Sequence, residues 1–502
     1  MPSKWYLFLP VIVLLNILLY YISVEIKFIE EISIIIIVLF SFFYSLSIFP
    51  YRKVGAVITV LATLILVLNQ SIGLGIYYIY SSPFTYGHGL SILNSNVKEF
   101  GSMLSTMPAI VLVYLFLFGF QYYVFSTFKG SVRNKFLSYF LASLWFLIPL
   151  GNLLLKGSNL MAVESRTAVF LRFTPLYNFR PMVHSLAEYE ESKEINRNIN
   201  IDYSKMVVGD DGVDLLVVLV GESARRQNMS LYGYERSTTP FQDAERSNML
   251  FYKNMVSSAG ITLLSVPMIL SKMVPETYHE GKAQLNDNVF NLAKSVGYKS
   301  YWLSTQEKGS HYLSTVNNLV SFADSLVWMT GYDEVLLPEV ANLVKSDRKK
   351  MTIFMHINGS HSNACDKYPK EFASFNNGIS EIDCYDNSIL YTDQLMGQLF
   401  TMLKDKNAAV IFLSDHAEKL VNGRFIHSDS KEGTEIPYYI WYGEGVNERL
   451  RLIDSVKALT STNINYFQFA RLLGVEGLNS VISDKVMYLR SDLSVVAYDS
   501  LD

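Results

Sequence analysis

Apolar residues are not spread evenly along the chain. The first third concentrates them in five stretches, at 5–24, 32–49, 54–80, 105–125 and 136–155, each long enough to cross about 30 Å of hydrocarbon. The first is too long for a signal peptide, lacks a clear small-residue cleavage site and is followed at once by another span, so it is read as retained. Residues 157–205 mix charges with isolated aromatics, which suits either an interfacial connector or a solvated linker. The loop 81–101 has the same two readings. From 214 onward, short β-rich runs alternate with helical stretches, the pattern of an α/β domain on a largely parallel sheet. Its clearest strands are 214–220, 352–357, 408–413 and 437–442. The expected architecture is an N-terminal α-helical transmembrane bundle of five spans at 1–156, a connector at 157–205 and an α/β catalytic domain at 206–502.

Composition sharpens this division. Half of the 502 residues are hydrophobic and mean hydropathy is +0.21, high for a wholly soluble chain. Lys4, Arg52, Lys53, Lys129, Arg133 and Lys135 lie at one set of span ends, against Lys27 and Lys98 at the other. Basic residues near spans stay in the cytoplasm, so the N-terminus is expected inside and everything after the fifth span outside, in the periplasm of a double-membrane bacterium. A net charge of −4 gives no sign of a nucleic-acid partner. Cys365 and Cys384 are the two cysteines. An oxidising compartment permits a bridge between them, with two free thiols as the alternative. No Cys-rich metal site is available, so any metal must rely on His, carboxylate or hydroxyl.

Polar clusters follow three of the predicted strands, and ligands in open α/β sheets gather at the carboxyl ends of strands. In VGESARRQNMSLYGYERSTTP, Glu222 stands directly after the first strand. It is either a carboxylate aimed at a divalent cation or a charge supporting a helix N-terminus. SDHAEKLVNGRFIHSD supplies Asp415, His416 and His427. Carboxylate plus imidazole suits zinc or manganese, although His427 could equally be a surface histidine. HINGSH holds His356 and His361 around Gly359. Either could meet a second metal or a substrate phosphate, and a structural role competes for His356. In SSAGITLLSVPMILS, Thr262 leads into an apolar run. It reads as a helix cap, or as a nucleophile whose hydroxyl a metal activates. No Cys or Ser stands in a CxPxR-like context, which argues against sulfate ester hydrolysis.

Taken together, GES with RxxxMSLYGYxRxTTP, Thr262 followed by SVP, HxxGxH, YDNSILYTD and SDHxE resemble the lipid A phosphoethanolamine transferases of the alkaline phosphatase and sulfatase superfamily. The resemblance covers essentially the whole chain. It implies an alkaline-phosphatase/sulfatase-like catalytic domain, zinc held by Glu222, Thr262, Asp415 and His416, and Thr262 as nucleophile. His361 and His427 match histidines used around the phosphoryl group or a second zinc, and Glu418 matches the acid after SDH. Lys308, Glu418 and His356 are candidate substrate contacts. The implied reaction takes phosphoethanolamine from phosphatidylethanolamine through a phospho-threonine intermediate, releases diacylglycerol and delivers the group to lipid A, lipopolysaccharide core or another envelope glycan. A glycerol-phosphate polymerase of the lipoteichoic acid type is the nearest rival, and an inactive membrane scaffold a more distant one. The chain departs from better-known members in several places. Ala259 and Met268 stand where a disulfide brackets the nucleophile loop, AEK replaces Gly-Glu-Ser after SDH, and the stretch from Asp415 to His427 is one residue shorter.

Overall fold

The computed structural model describes residues 5–23, 29–48, 52–80, 83–94, 108–127, 135–160, 166–192, 201, 203, 206–280, 282–306, 315–346, 350–361, 363–478 and 485–502. The chain forms two compact units, Met1–Glu188 and Tyr189–Asp502.

In the first unit, long helices occupy the five apolar stretches: Trp5–Ser23, Ile29–Ser47, Arg52–Tyr80, Pro108–Thr127 and Lys135–Leu160. Among the described residues, two segments, Ala56–Ile79 and Lys135–Leu154, are long and apolar enough to cross a membrane, and Ser33–Leu46 and Val111–Val124 are shorter apolar helices. Three helices are joined by buried amides. Gln70 donates to Asn16 Oδ1, and Gln121 Nε2 donates to Gln70 Oε1 at 2.8 Å. In surroundings with few other partners, amides satisfy one another and fix helix rotation.

The second unit is built on an eight-stranded sheet. Its strands are β1 (Leu215–Gly221), β2 (Met249–Tyr252), β3 (Lys299–Ser304), β4 (Ser325–Trp328), β5 (Met351–His356), β6 (Ala408–Ser414), β7 (Tyr438–Tyr442) and β8 (Asp454–Val456), in the order β8-β2-β7-β6-β1-β5-β3-β4. β1, β5 and β6 are buried along their whole length. Both sheet faces are covered, so these strands read as unbroken apolar runs without alternation. The sheet is largely parallel, as expected, and is made mixed by one antiparallel strand. β7 runs antiparallel to both β6 and β2, while β6, β1, β5, β3 and β4 are successively parallel. No crossover helix of the length a parallel return needs lies between β6 and β7, so the chain comes back beside the strand it left.

Cys365 and Cys384 form a disulfide across 19 residues. It ties the segment after HINGSH to the start of a 23-residue helix, α2 (Glu381–Leu403), whose first turn is closed by a Ser380–Asp383 capping box. Replacing Cys384 by Ala should lower unfolding stability by about 3 kcal/mol in denaturant titrations, the value for closing a loop of this size. Reduction of the unmodified chain should give the same loss.

Candidate active site

Glu222 follows β1, and the next residue, Ser223, adopts a left-handed φ of 58°. That reversal returns the backbone beneath its own carboxylate. Ser223 Oγ donates to Glu222 Oε1 at 2.8 Å, and the Ser223 amide donates to Asp415 Oδ1 at 3.1 Å. Asp415 and His416 leave the end of the neighbouring parallel strand, so the β1/β6 pairing brings the two clusters together. Thr262 is the first residue of the helix α1 (Thr262–Ile269), one position past the N-cap, Ile261. Its hydroxyl therefore caps nothing. It donates to Glu222 Oε2 at 3.0 Å and lies 3.3 Å from His416 Nε2.

Glu222, Asp415 and His416 are fully buried and offer ligand atoms within 4.8 Å of one another. A second group, Glu222 with the half-buried His361 and His427, meets the same limit and shares the Glu222 carboxylate. The His427 ring lies 4.7 Å from that of His416 and 6.1 Å from that of His361, between centroids. His356 is not among these converging groups. Its ring packs on the Trp302 indole at 5.2 Å. Glu418 is buried, and neither of its carboxylate oxygens has a hydrogen-bond donor among the described residues. Lys308 lies outside the described residues.

The leftover atoms suit a metal. His416 Nδ1 sits 3.1 Å from the Ala417 carbonyl, which fixes the tautomer and leaves Nε2 facing the carboxylates. Asp415 Oδ2 is buried, has no hydrogen-bond donor at normal geometry among the described residues and lies 3.4 Å from His416 Nε2. Two carboxylates, an imidazole and a hydroxyl match the donor preferences of zinc.

Electrostatics point the same way. Burial opposes a charge on Glu222, but the hydrogen bond and charge of His416 outweigh it and hold the carboxyl well below its ordinary range. Burial, reinforced by the Glu222 charge, pushes Asp415 up to about 7. Burial works against a charged His416, yet Asp415 and Glu222 overcome it and raise the imidazole to about 10. Burial also lifts Glu418 to about 8, against the opposing charge of His416.

Several supporting residues carried no motif signal. Gln306 Nε2 donates to Glu222 Oε2 and to the Ile357 carbonyl, at 3.0 Å each. Buried Asp333 accepts from the Asn358 and Gly359 amides at 2.9 and 3.0 Å, pinning the HINGSH turn. Gly359 has a φ of +49°, and a Cβ there would stand 2.8 Å from the Glu222 carbonyl oxygen. That Gly359 provides a loop between the two histidines was legible in the sequence. Its contact with Glu222 was not.

Two signature segments prove to be each other's partners. Arg236 pairs with Asp383 and Asp386 at 2.8 Å each, and Asn228 and Tyr234 also donate to Asp386. From the same helix, Tyr385 donates to the Ser223 carbonyl at 2.5 Å.

The sulfatase family model matches residues 214–474, more than half of the chain. The chain belongs to the sulfatase family. Among the relatives of this chain is the putative transferase YhbX of Escherichia coli O157:H7, 31% identical over 424 residues that cover 80% of this chain and 76% of that protein. Phosphoethanolamine transferase EptA of Escherichia coli K12 is 27% identical over 301 residues, 53% of this chain and 54% of EptA. The family resemblance drawn from the motifs is thereby met. Among solved structures, the lipooligosaccharide phosphoethanolamine transferase EptA of Neisseria meningitidis superposes with a TM-score of 0.62 at 20% identity, covering 94% of this chain and 93% of that one. The periplasmic domain of Escherichia coli EptC, solved in complex with Zn, gives 0.53 at 20% identity, over 59% of this chain and 96% of that one. At these identities the structural likeness establishes the fold.

Two outcomes follow from the geometry. Metal must displace the protons that Asp415 and His416 hold, so apparent zinc affinity should rise with pH through 7. Chelator competition should find binding on the order of 100-fold or more tighter at pH 8 than at pH 6, and a flat profile would show that the pair holds no such protons. Gly359→Ala combines an unfavourable φ with a clash against Glu222 and should cost at least about 1–2 kcal/mol in thermal or denaturant unfolding.

Proposed function

We propose that this chain transfers phosphoethanolamine from phosphatidylethanolamine to lipid A or lipopolysaccharide core, through a phosphoethanolamine-threonine intermediate on Thr262, releasing diacylglycerol. The observation that carries the reading is the Thr262 hydroxyl, held at 3.0 Å by Glu222 within a buried carboxylate and imidazole cluster. The named relatives EptA and EptC support the same reaction class.

Glu222, Thr262, Asp415 and His416 would hold zinc, and Glu222 with His361 and His427 a second ion. Bound zinc supplies Lewis-acid activation of the hydroxyl and neutralisation of the phosphoryl oxygens. Glu222 Oε2 accepts the hydrogen bond of the Thr262 hydroxyl and takes that proton as Oγ1 attacks phosphorus, returning it to Oγ1 when Thr262 is displaced. As the Oγ1–P bond forms, the bond from phosphorus to the glycerol oxygen breaks, and His361 or His427 protonates that oxygen. The same histidine then takes a proton from the acceptor, whose oxygen displaces Thr262. Glu418, His356 and Lys308 remain candidates for substrate contact.

Both substrates sit in a bilayer, which gives the helical unit a purpose: holding the site at the membrane face raises its effective concentration toward lipid. The reading places five spans in 1–156, the N-terminus in the cytoplasm, a connector at 157–205 and the catalytic domain, 206–502, in the periplasm of a bacterial inner-membrane protein.

Full-length enzyme supplied with headgroup-labelled phosphatidylethanolamine should label Thr262 and then the lipopolysaccharide fraction, as read by mass spectrometry. Thr262→Ala should abolish transfer, a loss of about 10³-fold or more, with the protein still folded and inserted. Full activity in that variant sinks the nucleophile, and label taken from phosphatidylglycerol instead sinks the donor.

A further inference from the structure

Gly260, two residues before Thr262, is pressed against the Tyr488 hydroxyl. A Cβ at that position would meet the hydroxyl at 2.6 Å and the Ser428 carbonyl oxygen at 3.2 Å. Tyr488 is fully buried and belongs to β9 (Met487–Leu489), which pairs antiparallel with β10 (Val495–Ala497). The next residue along β9 reaches the nucleophile loop directly: the Leu489 amide donates to the Ser258 carbonyl at 2.8 Å, and Ala259 bridges Leu489.

The Tyr488 hydroxyl donates in turn to Asp429 Oδ1 at 2.7 Å. Asp429 lies two residues past His427. It also accepts from the Ser491 amide, at 3.2 Å to Oδ1 and 3.0 Å to Oδ2, and from Ser491 Oγ at 2.6 Å to Oδ2. One carboxylate and one phenol thus join the Thr262 loop, the His427 loop and the β9/β10 hairpin. Asp429 belongs to none of the metal-binding groups of the site. Charge-assisted hydrogen bonds of this kind are short and directional, and so suited to fixing a distance between loops.

We infer that Asp429 and Tyr488 are positioning residues that hold Thr262 and His427 at a fixed separation. The inference rests on the reading of these two as the reacting groups. A misplacement of about 1 Å between reacting groups costs on the order of 100-fold in rate, so the brace acts on turnover more than on substrate affinity.

The test compares Tyr488→Phe, Asp429→Asn and the milder Ser491→Ala with the unmodified full-length chain in detergent, by hydrogen exchange and by release of labelled headgroup from phosphatidylethanolamine. In Tyr488→Phe and Asp429→Asn, amides 257–262 and 427–431 should exchange together about tenfold faster, with Ala408–Ser414 unchanged. kcat should fall about tenfold or more, with KM within about twofold and zinc content intact. Ser491→Ala should move the same two segments by a smaller factor, which keeps the test decisive if Asp429→Asn does not fold. Faster exchange confined to residues 487–497, or wild-type rates in both site loops, overturns the inference. Failure of the unmodified chain to transfer headgroup would instead sink the functional reading and leave the exchange result to decide the brace.

Discussion

Charge buried at the mouths of β1 and β6 is the constraint that organises the catalytic unit. Glu222, Asp415 and His416 have almost no contact with water, and isolated charges in such a place are costly. The fold answers with donors from several directions. Ser223 and Gln306 serve Glu222, backbone amides serve Asp415, and the Ala417 carbonyl orients His416. What hydrogen bonds leave unmet is the set of lone pairs that a cation would take. The charged residues are therefore tolerable in pairs and with a metal, and poorly tolerable singly.

Much of this was legible in sequence because the strands that carry the chemistry are buried on both faces. Runs such as LLVVLV and AAVIFL announce themselves, and the polar residues that interrupt them then stand out. β3 and β4 are harder to read. β3 is KSYWLS and β4 is SLVW at the edge of the sheet, where Ser and Lys break the apolar run. The antiparallel course of β7 was illegible for a different reason: strand direction depends on what fills the connection, and the 415–437 segment carries site residues instead of a crossover helix.

The candidate site shows the same division. Residues beside strand ends could be found from spacing, but those acting across the fold could not. Gln306 lies 84 positions from Glu222, Asp333 reaches the HINGSH turn through its backbone amides, and Tyr385 holds Ser223 from a distant helix. The segments SLYGYxR and YDNS had served as family signatures with no stated purpose. Their specificity has a physical source in the ion pairs of Arg236 with Asp383 and Asp386, which seat α2 against the loop after Glu222. Thr262 was ambiguous until its hydroxyl was seen to point at Glu222 while Ile261 held the cap position.

The pairing of β6 with β7 has a consequence for how such a site can change. Leu413 and Tyr438 are cross-strand neighbours, so the whole excursion between them begins and ends at the same end of two adjacent strands, as an enlarged hairpin loop. Its length is uncoupled from the register of every strand. Residues can be lost or gained there without shifting Asp415 or His416, which are anchored at the departing end. What such a change alters is the reach of His427 and the placement of Asp429, which ties the excursion to Tyr488. The excursion is thus a part of the catalytic unit whose length can vary while the carboxylate and imidazole at its departing end stay where β6 puts them.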